Sequence, residues 1–115
     1  MNLTSSNAHG AVIVAVNGRV DQTTSEAFAA ALKPFLDQCA KDKPPVVLDF
    51  TSLEYISSVG LRALMMAARQ SKAQQGKLAV ACLNPVVQEV FTITRFNLVL
   101  PCHATVEAAA KALAS

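Results

Sequence analysis

The chain has 115 residues, with ten Lys and Arg against eight Asp and Glu, and a formal charge of +2. That length suits one domain built around one core, and the charge is too slight to imply a nucleic-acid partner, the more so with no Trp, one Tyr and five Phe to stack on bases. Apolar residues make up 52% of the chain, yet no apolar run approaches the ~18 residues of a membrane span, so the excess is expected in strands buried on both faces of a sheet and no membrane partner is expected.

The opening residues, MNLTSSNAHG, lack the basic and then apolar segments of a signal peptide, and a cytoplasmic location is expected. Residues 2 to 6 carry a weak strand signal. Gly10 precedes AVIVAV, Ala11 to Val16, a β-branched run typical of a buried strand, closed by Asn17-Gly18. In DQTTSEAFAAALKPFLDQCA, Thr23 and Glu26 have capping-box spacing, and Phe28, Leu32, Phe35, Leu36 and Cys39 recur on one helical face. Pro34 lacks an N–H and crowds the preceding turn, so a kink or break is expected there. Val46 to Phe50 reads as a second buried strand, with prolines at its entrance. Ser57-Ser58-Val59-Gly60 then opens a helix to about Gln75, with Gly76 suited to a left-handed position beyond its end. Lys77 to Leu83 is a further strand. Asn84-Pro85, a cap followed by an N1 proline, starts a helix through Arg95. Leu98 to Leu100 reads as a short strand stopped by Pro101, and Thr105 caps a last helix with Val106, Ala110 and Leu113 on one face.

This alternation predicts an α/β fold: a single-layer, mostly parallel sheet of about five strands with about four helices, spanning residues 1–115 as one domain. Such sheets work at the carboxyl ends of their strands. The turns at Asn17 to Asp21 and Thr51 to Ser58 both leave such ends and are expected to share one rim.

Catalysis is not expected. A nucleophilic serine needs a base within reach, but the two histidines, His9 and His103, lie near the ends of the chain. The nucleophile elbow Gly-x-Ser-x-Gly is absent, because Ile56 stands two before Ser58. No carboxylate pair, phosphate-binding glycine loop or His-carboxylate cluster appears, so no cofactor and no metal is expected. Cys39, Cys82 and Cys102 are odd in number and lack CxxC spacing, which fits packing better than a disulfide framework or a zinc site.

Three readings of Ser57 and Ser58 stand side by side. One or both cap the helix. The helix also offers a docking face: wound at 100° per residue, Leu61, Leu64, Met65 and Ala68 fall on a buried side, and Val59, Arg62, Met66 and Arg69 form an opposite arc that begins at Ser58. Lastly, a phosphate on Ser58 is tolerated by the helix dipole and free N–H groups, but adds about −1.5 to −2 charges beside a partly apolar contact surface. That combination is a binding switch.

VVLDFTSLEYISSVGLRALM resembles the signature of the STAS domain, in the stand-alone form typified by bacterial anti-sigma-factor antagonists. NGRVDQTTSEAF and NPVVQEVFTITRFNLVLP resemble its upstream Gly-x-Leu/Val-Asp segment and its later helix and strand, so the similarity runs over nearly the full chain. The resemblance implies that Ser58 is the serine phosphorylated by a cognate anti-sigma serine kinase, with Ser57 as second choice. It places Asp21 on the acidic residue near that serine, Asp49 on the strand-end Asp, and Gly60 and Leu61 on the Gly-Leu pair. The unphosphorylated form is then expected to bind the kinase/anti-sigma factor, and a serine phosphatase to reset it. Expected contact residues are Asp21, Ser57, Ser58, Val59, Arg62, Met66 and Arg69. Asp21 also reads as a cap of the turn before Thr23, and Asp49 as satisfying local backbone donors. The chain departs from the family pattern at Ser57, where Asp is frequent, and at Val59, where a second Ser or Thr is frequent. STAS-like domains also accompany transporters and lipid-trafficking machinery, and a ligand-binding role, for nucleotide included, is the alternative implied.

Overall fold

A computed structural model describes residues 3–114. Strand β1 (Thr4–Ala8) and strand β2 (Ala11–Ala15) form an antiparallel hairpin. Its two-residue link, His9-Gly10, has φ of 54° and 76°, the doubly positive pattern of a type I′ turn. The strand expected at residues 2 to 6 therefore runs two residues later; residue 2 lies outside the described residues. Strands β4 (Val46–Asp49), β6 (Leu78–Ala81) and β7 (Cys102–His103) add to β2 in parallel, giving the order β1-β2-β4-β6-β7. Four helices complete the fold: α1 (Ser25–Asp37), α2 (Ser58–Ala73), α3 (Pro85–Ile93) and α4 (Val106–Ala114).

Side-chain alternation along the strands splits the core in two. Val14, Val16, Val46, Leu48, Leu78 and Val80 face a large cluster with Phe28 and Leu32 of α1, Leu61 and Leu64 of α2, and Val87 and Phe91 of α3. Their neighbours Ala11, Ile13, Val47, Ala79 and Ala81 meet Ala109 and Ala110 of α4 on the other face. Burial on both faces explains why these strands read as continuous apolar runs. On α4, Val106 and Leu113 pack at the edge of that contact, and the Thr105 hydroxyl accepts the N–H of Ala108 at 3.0 Å.

Several expectations need correction. A second sheet joins β3 (Gly18–Val20) to β5 (Leu53–Ile56) in parallel, where turns alone were expected. Leu98 to Leu100 is not a strand. Residues Phe96–Leu98 form a 3-10 turn, burying Phe96 and Leu100 and leaving Leu98 and Val99 exposed. Phe96 packs edge-on to Phe91 at 5.2 Å; a three-residue apolar run has no period that separates these outcomes. α1 is not broken at Pro34: the carbonyl that loses its donor belongs to exposed Ala30, open to water. Nor does Thr23 cap α1; the cap position is Thr24, and Thr23 serves Asp21 instead.

The end of α2 also differs. Gln75, not Gly76, takes the left-handed conformation (φ 61°). The N–H of Gln75 donates to the Lys72 carbonyl at 3.1 Å and that of Gly76 to Ser71 at 2.8 Å, the Schellman pair. Gly76 is needed for another reason: a Cβ there would overlap the carbonyl of Cys39.

Candidate functional site

The mouth of α2 rests on the small sheet. β3 and β5 run parallel with Val20 beside Ile56, so both leave at the same end, and the N–H of Ser57 donates to the Val20 carbonyl at 2.8 Å. Asp21 and Ser57, 36 residues apart in sequence, thereby emerge side by side. Gly60 lets the helix come this close. A Cβ on it would stand 2.7 Å from side-chain carbons of both Val20 and Ile56, which are themselves buried. Leu61 follows into the core.

The two serines have separate places. Ser57 is the cap: its backbone is extended (φ −90°, ψ 174°) and its hydroxyl accepts the N–H of Gly60 at 3.3 Å. Ser58 is the first helical residue and is exposed. Beyond it Val59 (41% exposed), Arg62, Met66 (60% exposed) and Arg69 form an outward-facing strip along the helix. The inner side differs slightly from expectation. Gly60, Leu61, Leu64, Ala67 and Ser71 are buried, while Met65 and Ala68 are half-buried. α2 packs against α1 as well as the sheet, which draws Ala67 inward.

Asp21 is held by its own turn. Its carboxylate accepts the Thr23 hydroxyl at 2.7 Å and the Thr23 N–H at 2.9 Å, and these bonds hold the carboxyl below its ordinary value of 3.8. The Thr24 hydroxyl accepts the Asp21 N–H and donates to the Arg19 carbonyl at 2.8 Å. Asp49 repeats the device at the end of β4, accepting the Thr51 hydroxyl at 2.6 Å and N–H at 3.0 Å. Both are Asx turns, legible as the Asp-x-Thr spacing of DQT and DFT. Sequence reasoning also missed the Arg19 guanidinium, which stacks 4.8 Å over the Tyr55 ring across the small sheet. A second set of exposed apolar residues, Val86, Ile93, Leu98 and Val99, lies on α3 and the turn after it.

The cysteines are free, with Cys39 buried and Cys82 and Cys102 half-buried. Burial raises the thiol of Cys39 and pushes that of Cys102 up to about 11, which suits packing rather than reactivity. Among the described residues no three His, Cys, Asp or Glu lie grouped as a metal site, and no helix is long and apolar enough to cross a membrane.

The STAS domain family model matches residues 3–109. The chain belongs to the STAS domain family. It is 38% identical, over 97% of its own length and 94% of the relative's, to a Bordetella bronchiseptica protein named "Putative anti-sigma factor antagonist BtrV". The fold of this STAS domain matches the crystal structure of an anti-sigma factor antagonist from Mycobacterium paratuberculosis with a TM-score of 0.86, at 21% identity, covering 99% of this chain and 94% of that one. It also matches the Bacillus cell fate determinant SpoIIAA in its phosphorylated form, with a TM-score of 0.65 at 18% identity over 96% and 97% of the two chains.

Proposed function

We propose that this STAS domain is an anti-sigma-factor antagonist whose grip on its partner is gated by phosphorylation of Ser58. In the unmodified state the strip Val59, Arg62, Met66 and Arg69, with Asp21 and Ser57 at its head, docks on an anti-sigma factor that is also a serine kinase. The kinase transfers the γ-phosphoryl group of ATP to the Ser58 oxygen, ADP leaving with the bridging oxygen and the hydroxyl proton passing to a base that the kinase supplies. A serine phosphatase then hydrolyses the phosphate ester, with water as co-reactant, returning the Ser58 hydroxyl and releasing inorganic phosphate. On this reading the chain is a bacterial, cytoplasmic binding module and contributes no catalytic group.

The division of labour between adjacent serines carries the reading. Ser57 already supplies the side-chain cap, taking the Gly60 N–H, so Ser58 has no structural duty that its modification would disturb. Free N–H groups of the first turn accommodate an anion in the fold. On the outer strip the same anion, about −1.5 to −2 charges, must be desolvated when a partner closes over Val59 and Met66. Affinity changes tenfold for each ~1.4 kcal/mol. The 38% identity to a protein named as an anti-sigma factor antagonist supports the same assignment.

Titration calorimetry with the cognate anti-sigma factor tests it, comparing Ser58→Ala with Ser58→Asp. The alanine variant is expected to bind at least about tenfold more tightly than the aspartate variant. Equal affinities would remove the gate.

A further inference from the structure

The phosphorylation reading of Ser58 leaves open what receives the added charge. Ser58 is the first residue of α2, and Arg62 stands one turn further along the same exposed face. Side chains on a helix lean toward its amino terminus, so the Arg62 side chain has the reach to turn back over the turn that holds Ser58. An anion four residues before a cation is the favoured orientation of such a pair. The planar fork of a guanidinium also matches two phosphate oxygens.

Competition for Arg62 is weak. α2 carries Arg62, Arg69 and Lys72 and no carboxylate. The salt bridges found among the described residues, Lys33–Asp37 and Lys111–Glu107, do not involve it. The charged residues on the elements packed against α2 are Glu26, Lys33 and Asp37 of α1 and Glu54 of β5, with Asp21, whose carboxylate is held by Thr23, and Arg19, stacked on Tyr55, beside its mouth. Of these, Asp37 is engaged by Lys33 and by Gln70.

We infer that Arg62 is the internal counter-ion of phosphorylated Ser58, so that modification both adds charge to the docking strip and withdraws a guanidinium from it. This rests on the proposed role of Ser58. Before modification Arg62 is free to pair with an acidic side chain of the partner. Afterwards the phosphate claims it, and the same acidic side chain meets an anion instead. The fold is untouched in either state, because both residues lie outside the core.

Phosphoserine installed at position 58 by genetic encoding, in the full chain, allows a test without partner or kinase. The second ionisation of the phosphate is followed by phosphorus NMR at low salt in the parent, in Arg62→Gln and in Arg69→Gln. A nearby cation favours the dianion, so the midpoint is expected about 0.15–0.4 pH unit lower in the parent than in Arg62→Gln. The gap should close near 1 M salt. Arg69, roughly 16 Å from Ser58 along the helix axis, should leave the curve where the parent has it. Superimposable curves for the parent and Arg62→Gln, or an equal shift from Arg69→Gln, would overturn the inference. Neither result bears on the affinity comparison of Ser58→Ala and Ser58→Asp, which stands or falls separately.

Discussion

The mouths of α2 and α3 are built by the same device and put to different use. Each helix follows a strand in parallel pairing, β5 of the small sheet for α2 and β6 of the main sheet for α3, and begins at a capping side chain in extended conformation, which accepts the N–H three residues on: Ser57 from Gly60 at 3.3 Å, Asn84 from Val87 at 2.8 Å. At α3 the cap is also a tie, since the Asn84 amide donates to the Leu53 carbonyl at 2.8 Å, and the first helical residue is Pro85, which has no hydroxyl to offer. The third position is the buried Val87. At α2 the third position is Gly60, because the small sheet crowds it, and the first position is the exposed Ser58. A proline or alanine there would serve the helix as well or better. What distinguishes the two mouths is a hydroxyl that the fold does not require.

This contrast can be broken at its strongest point first. Gly60→Val should destabilise by about 3 kcal/mol or more, because two branched, buried side chains must move to admit it; urea denaturation reads the loss. An effect below about 1 kcal/mol would mean that the small sheet does not press on the helix. Next comes a graded series by the same measurement. Asn84→Ala should cost about 2 kcal/mol, since it removes a cap and strands the Leu53 carbonyl. Ser57→Ala should cost about 1 kcal/mol as a simple cap loss. Ser58→Ala should stay within about 0.5 kcal/mol. Exchange of rank between the last two would reverse the roles assigned to the serines.

Much of this is legible in the sequence. The apolar runs Ala11 to Val16, Val46 to Phe50 and Lys77 to Leu83 read as buried strands and contain β2, β4 and β6, each one to three residues shorter, and Asn84-Pro85 announces its helix. The outer strip from Ser58 to Arg69 follows from helical winding alone. The small sheet was not legible. Gly18–Val20 and Leu53–Ile56 are too short, and too mixed with Arg19 and Glu54, to show a period, and each is stabilised by a partner more than thirty residues away. Which serine caps depends on where β5 ends, and that is set by the bond from Ser57 to Val20. Asp21 and Asp49 could be read as Asx turns, but only the pairing of β3 with β5 puts Asp21 beside the helix mouth. At Gly76 the sequence suggests a need for freedom of φ, but Gln75 takes the left-handed position and the lack of a side chain beside Cys39 is what matters.

The central claim is that Ser58, and not its capping neighbour, is the modified hydroxyl. Incubating the parent, Ser57→Ala and Ser58→Ala with the cognate kinase and ATP, and locating the phosphate by tandem mass spectrometry, tests it most directly. The parent and Ser57→Ala should each carry a single phosphate on Ser58, and Ser58→Ala none. Phosphate on Ser57 in the parent, or undiminished labelling of Ser58→Ala, would contradict the account.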